Sequence, residues 1–244
     1  MFPKSTEIVV PAGLSTLRAV PMFERLSDLL LRRLDAITEL ALLPAGQVLG
    51  RQGDAPAVLH ILLDGQVALS ATATDGIDAV VEVAHPPTHF ILAAALTGLP
   101  YLMSATTVTP CRLLTLQAPA LRSLIHTEID LATAMLGAVS RDYRAMVRQV
   151  RDLRLRTAAQ RLGCYLLARI TDENAGSARF RLPFEKSLLA SRLGCRQDSL
   201  SRAFATLRDY GVETHGGMVI IHDIARLRLF SLPDEIEEQN VLSP

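Results

Sequence analysis

The sequence predicts an α+β chain in three parts: an N-terminal β-roll, one long helix, and a C-terminal winged helix-turn-helix. Three observations carry that prediction. Between Leu42 and Leu116, short apolar runs alternate with glycine turns. From Ile129 to Leu153, apolar residues recur at alternating steps of three and four. From Leu182 to Phe204, two apolar helical stripes flank a glycine.

A length of 244 residues suffices for two cores, and 49% apolar residues fit a globular chain. The balance of 25 basic and 25 acidic residues hides an asymmetry. Residues 1–140 hold 8 Lys/Arg and 12 Asp/Glu, residues 141–232 hold 17 and 9, and residues 233–244 hold 4 acids and no base. Only the middle segment has the charge of a polyanion-binding surface; the alternative is a solvated helix face. No apolar run reaches the roughly 18 residues that span a membrane, and no signal-peptide pattern opens the chain. Cys111, Cys164 and Cys195 lack metal-site spacing. These features predict a cytoplasmic protein with no membrane partner, no disulfide framework and no iron–sulfur cluster.

Residues 21–40 carry Phe23, Leu26, Leu29, Leu30, Leu34 and Ile37 on one helical face. The next segment turns at Pro44-Ala45-Gly46, Gln52-Gly53-Asp54, Leu63-Asp64-Gly65 and Asp75-Gly76, which predicts an antiparallel sandwich or barrel. Val58–Leu63 and Ala79–Val83 read as its buried strands. Ile129, Ala132, Leu136, Val139, Tyr143, Met146, Val150 and Leu153 then keep a seven-residue repeat. A helix packed on one globular core drifts from that register, whereas a coiled-coil seam keeps it. The repeat therefore predicts a homodimer interface; the alternative is a helix packed on its own domain.

Residues 157–175 read as a further helix, through Leu162, Tyr165, Leu166 and Ile170. Leu188, Leu189 and Leu193 give the next helix an apolar face. Gly194 supplies a turn, and Leu200, Phe204 and Leu207 give the following helix its own stripe. Val212 to Ile221 reads as a hairpin wing around Gly216-Gly217. The acidic stretch from Pro233 reads as a mobile tail. The expected domains are 1–126 (sensor), 127–156 (dimerisation helix), 157–232 (winged helix-turn-helix) and 233–244 (tail).

Gln197, Asp198, Ser201 and Arg202 cluster at the start of the second helix, where a helix-turn-helix meets base edges in the major groove. Double-stranded DNA is thus the expected partner. Arg202 is placed to bond guanine O6 and N7; a phosphate contact or an ion pair with Asp198 is the alternative. Asp198 can accept from a cytosine amino group or orient Arg202, and Gln197 can pair with adenine. Arg196, Lys186 and Arg192 are candidate phosphate contacts, and Ser199 completes the candidate set. Thr214 and His215 lie at the wing tip. No phosphate loop or catalytic grouping is present, so a non-enzyme is expected.

These motifs resemble the CRP/FNR family of bacterial transcription regulators. The resemblance covers residues 20–232. Pro44-Ala45-Gly46-Gln47-Val48-Leu49-Gly50-Arg51-Gln52-Gly53-Asp54, then Leu63-Asp64-Gly65-Gln66-Val67, are similar to its β-roll signature, and Gly194 to Arg202 to its recognition-helix start. The resemblance implies a cyclic-nucleotide-binding-like jelly roll, a homodimer, a palindromic operator and RNA polymerase as a further partner. Ser201-Arg202 is similar to the FNR-type pattern that reads TTGA-like half-sites, with Asp198 replacing that pattern's glutamate.

Members that bind cyclic AMP use a Phe-x-Gly-Glu segment and an Arg-Ser pair. The matching residues here are Phe90-Ile91-Leu92-Ala93 and Met103-Ser104. A phosphate there would be unpaired in an apolar pocket, so cyclic AMP is not expected to bind. The cysteines of the iron–sulfur members are missing before Cys111, and the Cys and His of the carbon-monoxide sensor are replaced near Ile91 and Ala93. The remaining branch has an apolar sensor pocket and includes haem-dependent nitric-oxide regulators of the NnrR/Dnr type. That implies an effector pocket around Phe90, Leu92 and Met103. Haem is its candidate cofactor, with His85 and His89 as candidate ligands. The alternatives are an effector-independent regulator and a sensory adaptor acting through protein contacts.

Overall fold

A computed structural model describes residues 8–72, 78–170, 172, 175–182 and 186–232. The chain divides into one unit up to Met146 and another from Val147.

In the first unit the elements are β1 (Ile8–Pro11), α1 (Leu14–Arg18), α2 (Asp28–Asp35), β2 (Thr38–Leu43), β3 (Val48–Gly50), β4 (Val58–Asp64), β5 (Val67–Thr72), β6 (Asp78–Ala84), β7 (Thr88–Phe90), α3 (Leu92–Thr97), β8 (Ser104–Thr107), β9 (Cys111–Gln117) and α4 (Ala118–Thr127). The helix α5 (Ile129–Leu155) follows. The strands form two antiparallel sheets, ordered β1-β2-β9-β4-β7 and β3-β8-β5-β6. Strand alternation divides the buried residues of the larger sheet between two layers. Ala41, Leu43, Leu62, Phe90 and Leu113 meet Val67, Leu69, Ala84 and Ala105 of the smaller sheet. Leu59, Ile61, Leu114 and Leu116 meet the helices through Leu31, Leu121 and Leu131, with Phe23 from the turns before α2 in the same cluster. Gly65 takes φ +91°, and a Cβ there would lie 2.4 Å from the Pro110 carbonyl oxygen, so the tight turn after β4 needs glycine.

Two local expectations are corrected. The helix expected over 21–40 is only α2, capped by Ser27 Oγ, which accepts from the Leu30 amide at 3.3 Å. Phe23 and Leu26 are buried in turns before it, Leu29 is exposed, and Thr38–Leu43 is a strand between β1 and β9. Ladder pairing on both sides outweighs helical spacing there. The strand β6 forms, but Val80 and Val81 are exposed because β6 is the edge of its sheet.

The second unit contains α6 (Ala158–Leu167), β10 (Ala178–Arg181), α7 (Lys186–Arg192), α8 (Gln197–Arg208), β11 (Val212–His215), β12 (Met218–Ile221) and α9 (Ile224–Ser231). The order of β-roll, long helix and winged helix-turn-helix is the one the sequence predicts. The helix α6 is shorter than the expected 157–175. It opens with a capping box: Thr157 Oγ1 accepts from the Gln160 amide at 3.2 Å and Gln160 Oε1 from the Thr157 amide at 3.0 Å. The hairpin β11–β12 turns at Gly216-Gly217 and gains a third strand, β10, against β12. One core gathers Leu162, Leu166, Leu189, Leu193, Leu200, Phe204, Val219 and Leu227. The expected acidic tail and the side chain of Leu188 lie outside the described residues. Among the described residues, no helix is long and apolar enough to cross a membrane.

Candidate nucleic-acid interface and sensor chamber

The helix α8 sorts its residues by face. Leu200, Ala203, Phe204 and Leu207 are buried against the second core, while Gln197, Asp198, Ser201 and Arg202 are exposed on the first turn and a half. Ser199 is half-buried, and Arg196 stands exposed at the N-cap without a side-chain cap bond. Arg202 Nη2 donates to Ser199 Oγ at 3.3 Å. The ion pair with Asp198 does not form; Ser199, one turn back, takes the guanidinium instead. Asp198 remains on the first turn, where the helix dipole favours a negative charge. Lys186 is exposed at the start of α7. Arg192, at its end, lies 5.7 Å over the Tyr165 ring. At the wing, Glu213 faces His215 at 3.5 Å and His222 at 3.4 Å, and hydrogen bonding from His215, then His222, lowers its pKa.

The long helix α5 has two apolar faces. Leu131, Met135 and Ala138 are buried in the helix-side core of the first unit. Most heptad residues point elsewhere: Ile129 is 78% exposed, Leu136 68% and Tyr143 62%, with Met146, Val150 and Leu153 also exposed and Ala132 half-buried, whereas half-buried Val139 packs against that core. The alternative of the sequence reading, a helix packed on its own domain, is realised on the Leu131–Met135–Ala138 face, while much of the heptad face stays exposed. Ala132, Leu136 and Val139 line a groove with Leu96 and Ile125.

The expected effector residues separate. Phe90 belongs to the layer between the sheets, and Met103 packs against it. Leu92 opens α3 and is buried in the helix-side core instead. His89, one residue before Phe90, is held by Asp142 of α5, with Nε2 2.9 Å from Oδ2. His85 follows β6 in a half-buried loop. Ile91 adopts φ +61°, a left-handed conformation that strains a β-branched residue.

Sequence reasoning missed His60. It sits mid-strand in β4, only 5% exposed, opposite Phe90 in the ladder and stacked on it with ring centroids 5.3 Å apart. It shares strand parity with Leu62 and so belongs to the inter-sheet side. Neither ring nitrogen has a hydrogen-bond partner. Burial pushes the imidazole down to about 4, opposed only in part by the nearby Leu49 backbone, so it is neutral at physiological pH. The other buried polar side chains of this unit are satisfied: Thr38 donates to the Leu34 carbonyl at 2.6 Å and Thr107 to the Pro44 carbonyl at 2.7 Å. The sequence carries a signal for it, because the histidine falls within Val58–Leu63, a run expected to be a buried strand. Among the described residues, no group of three or more His, Cys, Asp or Glu is arranged to hold a metal ion.

A two-sheet module followed by a long helix and a helix-turn-helix with an exposed polar face defines a class, that of DNA-binding transcription regulators. Known proteins narrow it. Residues 41–128 match the cyclic nucleotide-binding domain and residues 160–230 the Crp-like helix-turn-helix domain. A putative cyclic nucleotide binding protein from Ruegeria pomeroyi is 30% identical, with a TM-score of 0.60 over 91% of this chain and 98% of that one. DNR from Pseudomonas aeruginosa is 26% identical, with a TM-score of 0.50 over 91% and 99%. The CRP-like cAMP-activated global transcriptional regulator of Mycobacterium tuberculosis is 24% identical over 188 residues, 75% of this chain and 84% of the relative. The chain belongs to the CRP/FNR family of transcription regulators.

Proposed function

We propose that this regulator reads a near-palindromic operator as a homodimer, under control of a small effector in the β-roll other than cyclic AMP. The carrying observation is α8, whose buried stripe anchors it while Gln197, Asp198, Ser201 and Arg202 are exposed at its N-terminal end. Arg202 contributes bidentate guanine recognition. Asp198 and Gln197 set the neighbouring bases of a TTGA-like half-site, and Arg196, Lys186 and Arg192 bind phosphates. The exposed heptad face of α5 supports the dimer, because such an apolar stripe is covered by a second copy rather than left in water. Two reading helices then lie about 34–36 Å apart, one turn of B-DNA. RNA polymerase is the further partner of such a regulator. The domain division at 126, 156 and 232 belongs to the same reading.

The apolar residues around Phe90 support an uncharged effector. Leu92, Ala93 and Met103 stand where an anionic nucleotide would need a glycine, a glutamate and an arginine. Of the candidate haem ligands, His89 is engaged with Asp142. His60 carries a neutral imidazole without a hydrogen-bond partner, but it is stacked on Phe90 inside the packed layer between the sheets, and it would reach a haem only on opening of that layer. Haem would supply an iron centre for nitric oxide. An anaerobic haem titration followed by nitric oxide tests this: a saturable Soret band that shifts with the gas supports it, and no saturable band removes it.

Selection of binding sites from a random DNA pool, with the mass of the free protein measured by light scattering, tests the main reading. The expected result is a dimer that enriches an inverted repeat. A monomer at micromolar concentration removes the homodimer, and a pool without an enriched sequence removes the DNA reading.

A further inference from the structure

One guanidinium ties together the ends of two helices. Arg161, on the first turn of α6, donates from Nη1 to the Arg156 carbonyl at 2.7 Å, just past the C-terminus of α5. Its Nε donates to the Leu193 carbonyl at 2.9 Å and its Nη2 to the Gly194 carbonyl at 3.5 Å, both just past the C-terminus of α7. Helix C-termini present unsatisfied carbonyls and partial negative charge, and a planar fork of donors can serve several at once. The same junction is closed sterically. Gly194 adopts φ +59°, and a Cβ there would meet Leu153 Cδ2 of α5 at 2.5 Å. Three residues after Gly194, the reading helix α8 begins.

We propose that Arg161 is a positioning residue for operator recognition: it fixes the helix-turn-helix turn to the end of α5 and so sets half-site spacing without touching DNA. The inference rests on the reading of α8 as the DNA-reading helix. Base discrimination within a half-site belongs to α8 itself. The distance between half-sites belongs to whatever holds α8 to α5, and in this unit Arg161 and the close approach of Leu153 to Gly194 act on the turn that leads directly into α8.

The test uses the full chain and a set of operators in which the spacer between half-sites is lengthened or shortened by one base pair. The wild-type chain is expected to lose about tenfold in affinity per altered base pair of spacer, and Arg161→Met to lose about twofold or less. The dependence of affinity on salt is expected to keep its slope, because no phosphate contact is removed. A spacer profile for Arg161→Met as steep as the wild type overturns the proposal. A salt slope reduced by about one also overturns it, because it marks Arg161 as a direct phosphate contact. Where Arg161→Met does not fold, Arg161→Lys carries the test: one ammonium cannot hold both helix ends, so its profile flattens too, and an unchanged profile overturns the proposal. A wild-type chain with no preferred operator removes the DNA reading itself and the clamp's function with it, whereas a sharp wild-type preference with a sharp variant profile removes only the clamp.

Discussion

The helix α8 and the strand β4 handle polar residues in opposite ways. On α8 every polar residue of the first turns has an outlet to water or a neighbour, because a surface helix has a dry side and a wet side. On β4 both faces are covered, by helices on one side and by the second sheet on the other, so His60 has no outlet. Polarity on α8 is therefore available for recognition at no cost to folding. Polarity on β4 costs stability, because neither ring nitrogen of His60 is satisfied.

The largest expected effect attacks the dry side of α8. Leu200→Ala removes a buried side chain and should destabilise the second unit by about 2–5 kcal/mol, measured by denaturant unfolding. A loss under about 1 kcal/mol would mean that the stripe is not the anchor.

Next comes the buried imidazole. Its folded value, about 4, lies below the ordinary 6.5. Between those values the unfolded chain binds more protons. Stability is thus complete above pH 6.5 and falls as pH drops toward 4, by about 3 kcal/mol in all. His60→Phe should remove that part of the acid sensitivity, and thermal melts across this range measure it. Equal acid sensitivity in the variant would show that His60 is not buried neutral.

The wet side of α8 should behave differently. Arg202→Ala should lose about 1–3 kcal/mol of preference for a guanine-containing half-site, read by competition binding. Its melting temperature and its salt-dependent nonspecific binding should hold. Surviving sequence preference would refute the assignment. The smallest effect belongs to Asp198→Ala, which removes a first-turn charge that favours the helix dipole by about 0.3–1 kcal/mol. A gain in stability would mean that the carboxylate is retained for recognition alone.

The same contrast explains what could be read from the sequence. The period of α8 and the heptads of α5 survive in the sequence because each face of a helix keeps one environment along its length. The segment Thr38–Leu43 fits a helix and a strand equally well in isolation; its partners β1 and β9, far apart in sequence, decide. The strand β10 is four residues with a single large apolar side chain, Phe180, too short for a pattern. The helix α9 has buried residues at Ile224, Leu227 and Ser231, but Leu229 is exposed, which blurs its period. Strand β4 was legible, yet the lack of a partner for His60 was not, because that depends on which side chains the second sheet brings opposite it.

Gly163 carries a practical consequence for dissecting the molecule. A Cβ at that position of α6 would sit 1.9 Å from Ser231 Oγ of α9. Gln160 Nε2 also donates to the Phe230 carbonyl at 3.4 Å, and Arg156 Nη2 to the Leu232 carbonyl at 2.9 Å. The helix α9 is thus seated in a notch made by a missing side chain. A stand-alone fragment cut after the wing would uncover Leu162 and lose Leu227 from its core. A workable fragment has to run from Arg156 through Leu232, and a tag or fusion partner belongs beyond that residue.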